Sequence, residues 1–196
     1  IQWTDATWNV ARGCTKVDSD CRFCYMYRDS MDQTRYNPMQ VVKTKTVFDF
    51  PLRYKEKESK CWQGRPLIFT SSLTDVFHEQ IDAFRNEIWD IIRKCPHLIF
   101  QILTKRPERI IEHLPEDWGN GWSNVWLGTS VGSQKSIQRA IDLVDVPAKI
   151  RFLSLEPLHG AVDLSVPVSI ASVKIPLISF YDWVIVGGES GNEKGM

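Results

Sequence analysis

Five short runs of β-branched and aromatic residues, separated by more polar segments, constrain the fold more than any other feature of the sequence. Both faces of each run are apolar, which is typical of strands buried in a parallel sheet. We therefore predict buried parallel strands at 66–71, 98–104, 124–130, 150–155 and 182–187. Strands that alternate with helix-compatible segments indicate an α/β domain with right-handed crossovers, either an open sheet or a full or partial barrel.

One segment between the predicted strands has the periodicity of an amphipathic helix. Within residues 80–95, apolar side chains recur every three or four positions and form one stripe, as in a helix that packs on a core. Shorter helices are predicted near 24–33 and over 107–114 and 133–144, the last with Ser133 as its N-cap.

Length and charge limit the classes of protein. A chain of 196 residues is long enough for one well-packed core, and we interpret residues 1–196 as a single domain. Lysine plus arginine equal aspartate plus glutamate at 24 each, so no global field attracts nucleic acid or an anionic membrane. The apolar runs are far shorter than the roughly 18 residues of a spanning helix. A membrane span is therefore not expected.

The two ends of the sequence bear on its location and completeness. The start lacks the basic, apolar and small-residue pattern of an export signal, so we expect a cytoplasmic protein. The chain begins at Ile1 rather than at a methionine, and it stops at Met196 after a glycine-rich turn. It is therefore expected to be a fragment, truncated at both ends, of a longer protein.

Three of the five cysteines fall within eleven residues, which does not resemble the disulfide framework of a secreted protein. Cys14, Cys21 and Cys24 have C-x6-C-x2-C spacing, so their thiolates can converge from one loop. Three cysteines can hold a [4Fe–4S] cube and leave one iron open to a small molecule. A zinc ion would need a fourth ligand, for which the candidates are Cys61, His78 and Asp20. Cys95, at the end of an apolar helix, is expected to be a buried core thiol.

Polar residues follow the predicted strands, where α/β sheets and barrels carry their chemistry. Those that end or follow the strands include Ser71, Ser72, Asp75, Thr104, Lys105, Ser130 and Glu156. Two interpretations stay open. These residues form a functional site, or they are polar only because the loops that follow strands in α/β proteins are exposed to solvent.

The cysteine loop and several other motifs resemble known families. Three clustered cysteines with Phe23 before the last, opening a chain of strand–helix units, look like the cluster loop of the radical S-adenosylmethionine superfamily. That superfamily usually has C-x3-C-x2-C spacing. More closely, the chain resembles a phage and bacterial three-cysteine family without an assigned reaction. Its motifs are WTDATWN at 3–9, TDVFH at 74–78, LTKRP at 103–107, LSLEP at 153–157 and GGESG at 187–191.

The superfamily resemblance implies a partial or complete βα (TIM-like) barrel and an enzyme that acts as a lyase or transferase. Such an enzyme receives an electron from a donor and cleaves S-adenosylmethionine to a 5′-deoxyadenosyl radical, which modifies or repairs a substrate. Cys14, Cys21 and Cys24 would be the ligands of the cluster. The resemblance assigns no catalytic residue.

The resemblance also implies which residues bind the cofactor. Ser71, Ser72 and Asp75 match the strand end that contacts the methionine amine, with Asp75 as the charge partner. Lys105, beside Thr104, would pair with the methionine carboxylate or with a substrate phosphate. Ser130 and Glu156 would bind ribose hydroxyls or the amine.

The nature of the substrate follows from a looser likeness. The pairs Thr74-Asp75 and Thr104-Lys105 resemble the photoproduct lyase branch of the superfamily, whose substrate is damaged DNA, so a nucleic acid or nucleotide is expected. A basic rim for phosphates would come from Lys43, Lys45, Lys105, Arg106 and Arg109, and residues 187–191 are a weaker candidate for an anion loop. The alternatives are a zinc-binding module that recognises nucleic acid or protein without catalysis, and a non-catalytic scaffold.

Overall fold

The computed structural model describes residues 1–29, 37–55 and 64–188. These residues form ten strands: β1 Ala6–Trp8, β2 Ala11–Arg12, β3 Val42–Lys43, β4 Leu67–Thr70, β5 Ile99–Thr104, β6 Val125–Ser130, β7 Ile150–Leu155, β8 Pro167–Ile170, β9 Val173–Pro176 and β10 Trp183–Val186. The α-helices among them are α1 Tyr25–Asp29, α2 Arg85–Lys94 and α3 Gln138–Val144. None of the helices in this part of the chain is long and apolar enough to cross a membrane.

Six strands form one parallel sheet in the order of the sequence: β1, β4, β5, β6, β7 and β10. All five runs predicted as strands lie in this sheet, which confirms the α/β class. Strand β1 was not predicted, because its three residues stand in a short polar stretch that resembles a turn. Within the described ranges, β1 and β10 each have a single neighbour, so the sheet is open between them.

The predicted helices are shorter and tighter than their patterns indicate. Residues 80–95 divide into a 3-10 helix, Glu79–Phe84, and α2, because Phe84 has a φ of −137°, outside the helical range. Residues 107–114 form two separate 3-10 turns. Ser133 is the predicted N-cap, but of a 3-10 turn that precedes α3. The part of the segment near 24–33 that follows α1 lies outside the described residues.

The two faces of the sheet have different roles because side chains alternate along a strand. Phe100 and Ile102 of β5 point to α2 and pack with Ile88 and Ile92 in the main core. The opposite face carries a smaller cluster of Ile99, Trp126, Phe152 and Ile185, with Trp3 and Trp183 packed against it. The crossovers therefore cover one face and leave the other to the cluster of aromatic side chains.

Contacts of Trp3 show that the sheet curls around this aromatic face. The ring centroid of Trp3 lies 4.8 Å from that of Phe69 on β4 and 5.7 Å from that of Trp183 on β10. These strands are four spacings apart, which in a flat sheet is roughly 19 Å. One indole contacts both rings, so the sheet bends strongly enough to bring them together.

Candidate functional site

A cavity of about 640 Å³ lies on the aromatic face, at the carboxyl ends of the parallel strands. Residues of the sheet form its floor, among them Phe69, Leu103, Ser130, Ser154 and Ile185. The cysteine loop and the loops that follow β4, β5 and β7 form its walls. Its volume is within the range of pockets that bind small molecules. The site is thus at the edge of the sheet where α/β proteins place their chemistry.

Cys14, Cys21 and Cys24 all line this cavity, and all three are free thiols. Asp18 accepts a hydrogen bond from the backbone N–H of Asp20 and so caps the 3-10 helix that ends at Cys21. The N–H of Cys24 points back to the carbonyl of Cys21, at 3.4 Å, directly before α1 begins. A short helical turn therefore sets the separation of the second and third cysteines.

Burial favours the protonated form of two of these thiols, Cys14 and Cys24. Burial raises the pKa of Cys14 to about 11, and the carboxylate of Asp75 adds to the rise while Arg106 opposes it. Burial also raises the pKa of Cys24, against which Lys105 acts. Because a metal binds thiolates, metal uptake at these residues releases protons.

A buried arginine fixes the first end of the cysteine loop. Arg106 Nη2 donates to the carbonyl oxygen of Thr15 at 3.0 Å and to its hydroxyl at 2.9 Å. Arg106 Nη1 lies 3.8 Å from Cys14 Sγ and donates to Asp75 Oδ2 at 3.2 Å. The side chains of Arg106 and Asp75 are only 7% and 8% exposed. Cys14 therefore lies against a buried, desolvated ion pair.

His78 holds the same Thr15 from another side. Its Nδ1 accepts the backbone N–H of Gln80 at 3.1 Å, so the neutral ring carries its proton on Nε2, which lies 3.0 Å from Thr15 Oγ1. Burial lowers the pKa of His78, and the nearby Arg106 lowers it further. Both ring nitrogens have hydrogen-bond partners in the protein, so in this arrangement His78 has no free nitrogen lone pair to coordinate a zinc ion.

A second buried ion pair fixes the other end of the loop. Asp20 Oδ2 accepts hydrogen bonds from the backbone N–H of Gly132 at 3.0 Å and from Arg139 Nη1 at 3.2 Å. Arg139 Nη2 also donates to Asp18. A Cβ atom on Gly132 would lie 2.8 Å from Cγ of Asp20, so only glycine allows this approach. Asp20, predicted as an alternative zinc ligand, is instead the anchor beside Cys21.

Two of the predicted cofactor-binding residues direct their polar atoms into the protein. Asp75 Oδ1 accepts from Thr104 Oγ1 at 2.7 Å and from the N–H of Phe77 at 2.9 Å. Asp75 Oδ2 accepts from the N–H of Lys105 at 2.9 Å as well as from Arg106. The hydroxyl of Thr104 in turn accepts the N–H of Arg106. Asp75 and Thr104 line the cavity, but their polar atoms shape the loop after β5.

Ser71 and Ser72, also predicted to bind the cofactor, are gathered by one side chain. The amide oxygen of Asn9 accepts from the hydroxyl of Ser71 at 3.1 Å and from the hydroxyl and N–H of Ser72 at 3.0 and 2.8 Å. Tyr25 donates to the carbonyl of Ser72 at 2.6 Å. Asn9, directly after β1, thus ties the loop that follows β4 to the first strand.

The remaining predicted residues, Lys105, Ser130 and Glu156, line the cavity. Among the described residues no carboxylate pairs with the ammonium of Lys105, and no cation pairs with Glu156. Ser154, which our sequence reasoning missed, is the direct neighbour of Ser130 across β6 and β7 and lines the same cavity. The alternation of Phe152 and Ser154 along one face of β7 was the signal that could have revealed it.

The predicted basic rim is dispersed. Lys43 and Lys45 line a separate shallow groove, and Arg109 pairs with Asp82 outside the cavity. Of the five predicted cations, Lys105 and Arg106 line the cavity, and Arg106 is buried against the cysteine loop. Cys61, the other candidate zinc ligand, and residues 189–191 of the predicted anion loop lie outside the described residues. Cys95 is buried in the main core, as predicted.

The described residues contain no group of three His, Cys, Asp or Glu side chains placed to hold a single metal ion. Cys14, Cys21 and Cys24 thus line one cavity but are not arranged around the position of a single ion.

Fold and site together define an α/β protein with three cysteines at the carboxyl edge of a parallel sheet. A family model of proteins of unknown function, DUF5131, matches residues 1–195, and the chain belongs to this family. No curated protein and no solved structure matches the chain.

Proposed function

We propose that the chain is an enzyme of the radical S-adenosylmethionine type, in which Cys14, Cys21 and Cys24 hold a [4Fe–4S] cluster. The observation that carries this proposal is that three thiols from one short loop line a single cavity with room for a small-molecule cofactor. The sequential order and the curl of the sheet support a partial βα barrel of that type. The free thiols fit a reducing compartment, and we propose the cytoplasm.

The polar groups of the cavity suit this cofactor. The ammonium of Lys105 suits the methionine carboxylate, the carboxylate of Glu156 suits the amine, and Ser130 and Ser154 offer hydroxyls to a ribose. When bound, the cluster would supply the electron, taken from a low-potential donor, that cleaves the sulfonium of S-adenosylmethionine. Asp75 positions Lys105 and Arg106 through the hydrogen bonds described above. The apolar side chains of the floor, Phe69, Leu103 and Ile185, would keep water away from the reacting groups.

The proposed substrate is a nucleic acid or a nucleotide. This part of the proposal depends on the resemblance to the three-cysteine phage and bacterial family and to photoproduct lyases. Lys105 supports it, because its ammonium lies at the cavity wall, pairs with no carboxylate of the described residues and would attract a phosphate.

Anaerobic reconstitution of the purified chain with iron and sulfide tests the proposal. We expect about four iron atoms per chain, the number in the proposed cube, and 5′-deoxyadenosine on addition of S-adenosylmethionine and dithionite. Cys14→Ala, Cys21→Ala and Cys24→Ala should each lose most of the iron. Cys95→Ala is the matched control and should retain it, because Cys95 lies in the main core.

Two results would overturn the proposal. Stoichiometric zinc without iron after reconstitution would favour the zinc-binding module instead. A loaded cluster that yields no 5′-deoxyadenosine would favour a scaffold that keeps the fold without the reaction.

A further inference from the structure

We propose that Arg106 is a positioning residue that raises the reduction potential of the cluster through its contact with the sulfur of Cys14. The inference deepens the proposed function and rests on it. Arg106 Nη1 lies 3.8 Å from Cys14 Sγ, and the arginine side chain is 7% exposed. Neither the cysteine spacing nor the strand pattern indicates this contact, because Arg106 lies 92 positions further along the chain.

The guanidinium cannot move away from the sulfur without breaking other bonds. Arg106 Nη2 donates to two oxygens of Thr15, the residue directly after Cys14. Arg106 Nη1 is shared between the sulfur and Asp75 Oδ2. The planar fork of arginine makes these contacts simultaneously, which a lysine ammonium on a flexible stem does not. The cation is therefore fixed in place beside Cys14.

The electrostatic effect has a definite sign. One-electron reduction adds a negative charge to a cluster, and hydrogen bonds and positive charge at its sulfurs stabilise the reduced form. Burial strengthens the effect because water does not screen it. Asp75, which pairs with the same guanidinium at 3.2 Å, adds a negative charge nearby and acts in the opposite direction. The two residues should thus shift the potential with opposite signs.

Dithionite titration of the reconstituted protein, followed by absorbance and electron paramagnetic resonance, measures the potential. We expect Arg106→Gln to lower the equilibrium constant for one-electron reduction at least tenfold, which is about 59 mV. Arg106→Lys should return the potential toward the wild-type value, because the charge is retained. Asp75→Asn should raise it. Arg109→Gln is the matched control and should leave it unchanged, because Arg109 bonds to Asp82 and Phe77, outside the cavity.

The outcomes separate this inference from the proposed function. Unchanged potentials in Arg106→Gln, or shifts of the same sign in Arg106→Gln and Asp75→Asn, would overturn the inference alone. If Arg106→Gln fails to take up iron, the reduction potentials of Arg106→Lys and Asp75→Asn test the inference instead. A potential in Asp75→Asn that is no higher than that of the wild type would then overturn the inference. A wild-type chain that takes up no cluster would overturn both.

Discussion

Removal of Arg139 should destabilise the protein strongly, because it would leave a buried carboxylate without its cation. The side chains of Asp20 and Arg139 are 2% and 8% exposed, and Arg139 also bonds to Asp18. Removing one partner of a buried pair costs about 3–5 kcal/mol. In a chain of this size each kcal/mol lowers Tm by about 2–4 °C, so Arg139→Met should lower Tm by about 6–20 °C.

Thermal unfolding followed by circular dichroism measures this shift. Lys135→Met is the matched control, because it removes the same charge from an exposed position one helical turn away. Adding Asp20→Asn to Arg139→Met should recover part of the lost stability, since the amide has no charge to leave unpaired and still offers an oxygen to the N–H of Gly132. The reasoning would be refuted if Arg139→Met unfolded within about 2 °C of Lys135→Met.

Two further variants test other parts of the structure. Burial, and to a lesser extent Arg106, lowers the pKa of His78 in the folded protein below its usual 6.5. Between these two pKa values the unfolded chain binds more protons than the folded protein, so the free energy of unfolding decreases as the pH drops from 6.5 through the lowered pKa. His78→Gln should flatten this part of the pH profile in urea unfolding, and an unchanged slope would contradict it. In Gly128→Ala, the new Cβ would meet the ring of Phe152 at 2.4 Å, and overpacking of this kind costs about 1–3 kcal/mol. Phe152→Leu in the same chain should relieve the cost, and a double variant no more stable than Gly128→Ala alone would count against this packing.

The strands were predictable because each is a short apolar run, and the central strands β5 and β6 are buried on both faces. Strand β1 was not, because its three residues offer no periodicity and its place depends on pairing with β4. The segment 107–114 was predicted as a helix, yet it forms two 3-10 turns, Pro107–Arg109 and Ile111–His113, which its local sequence does not distinguish from an α-helix. Local patterns therefore predicted the sheet well and the lengths of the helices poorly.

The site was predictable where it depends on the edge of the sheet and not where it depends on long-range ion pairs. Position at or directly after the end of a strand correctly indicated that Lys105, Ser130 and Glu156 line one cavity. The same reasoning predicted that Asp75 contacts the cofactor, a role that stays a prediction. No local pattern indicates that Arg106 donates a hydrogen bond to Oδ2 of Asp75, because the arginine follows the next strand of the sheet and folds back to reach this carboxylate.

The distance along the chain between the cysteine loop and its anchors has a consequence for synthesis. Asp20 and its partner Arg139 are 119 positions apart. At a translation rate of about 5–20 residues per second, the loop leaves the ribosome roughly 6–24 s before that partner is made. During this interval the cysteine loop lacks its ion pair with Arg139, and the thiols of Cys14, Cys21 and Cys24 are exposed to oxidants and to other metal ions. For the proposed cluster site, correct maturation would therefore depend on a reducing environment around the ribosome until α3, which carries Arg139 and follows the fourth strand of the sheet, has been made.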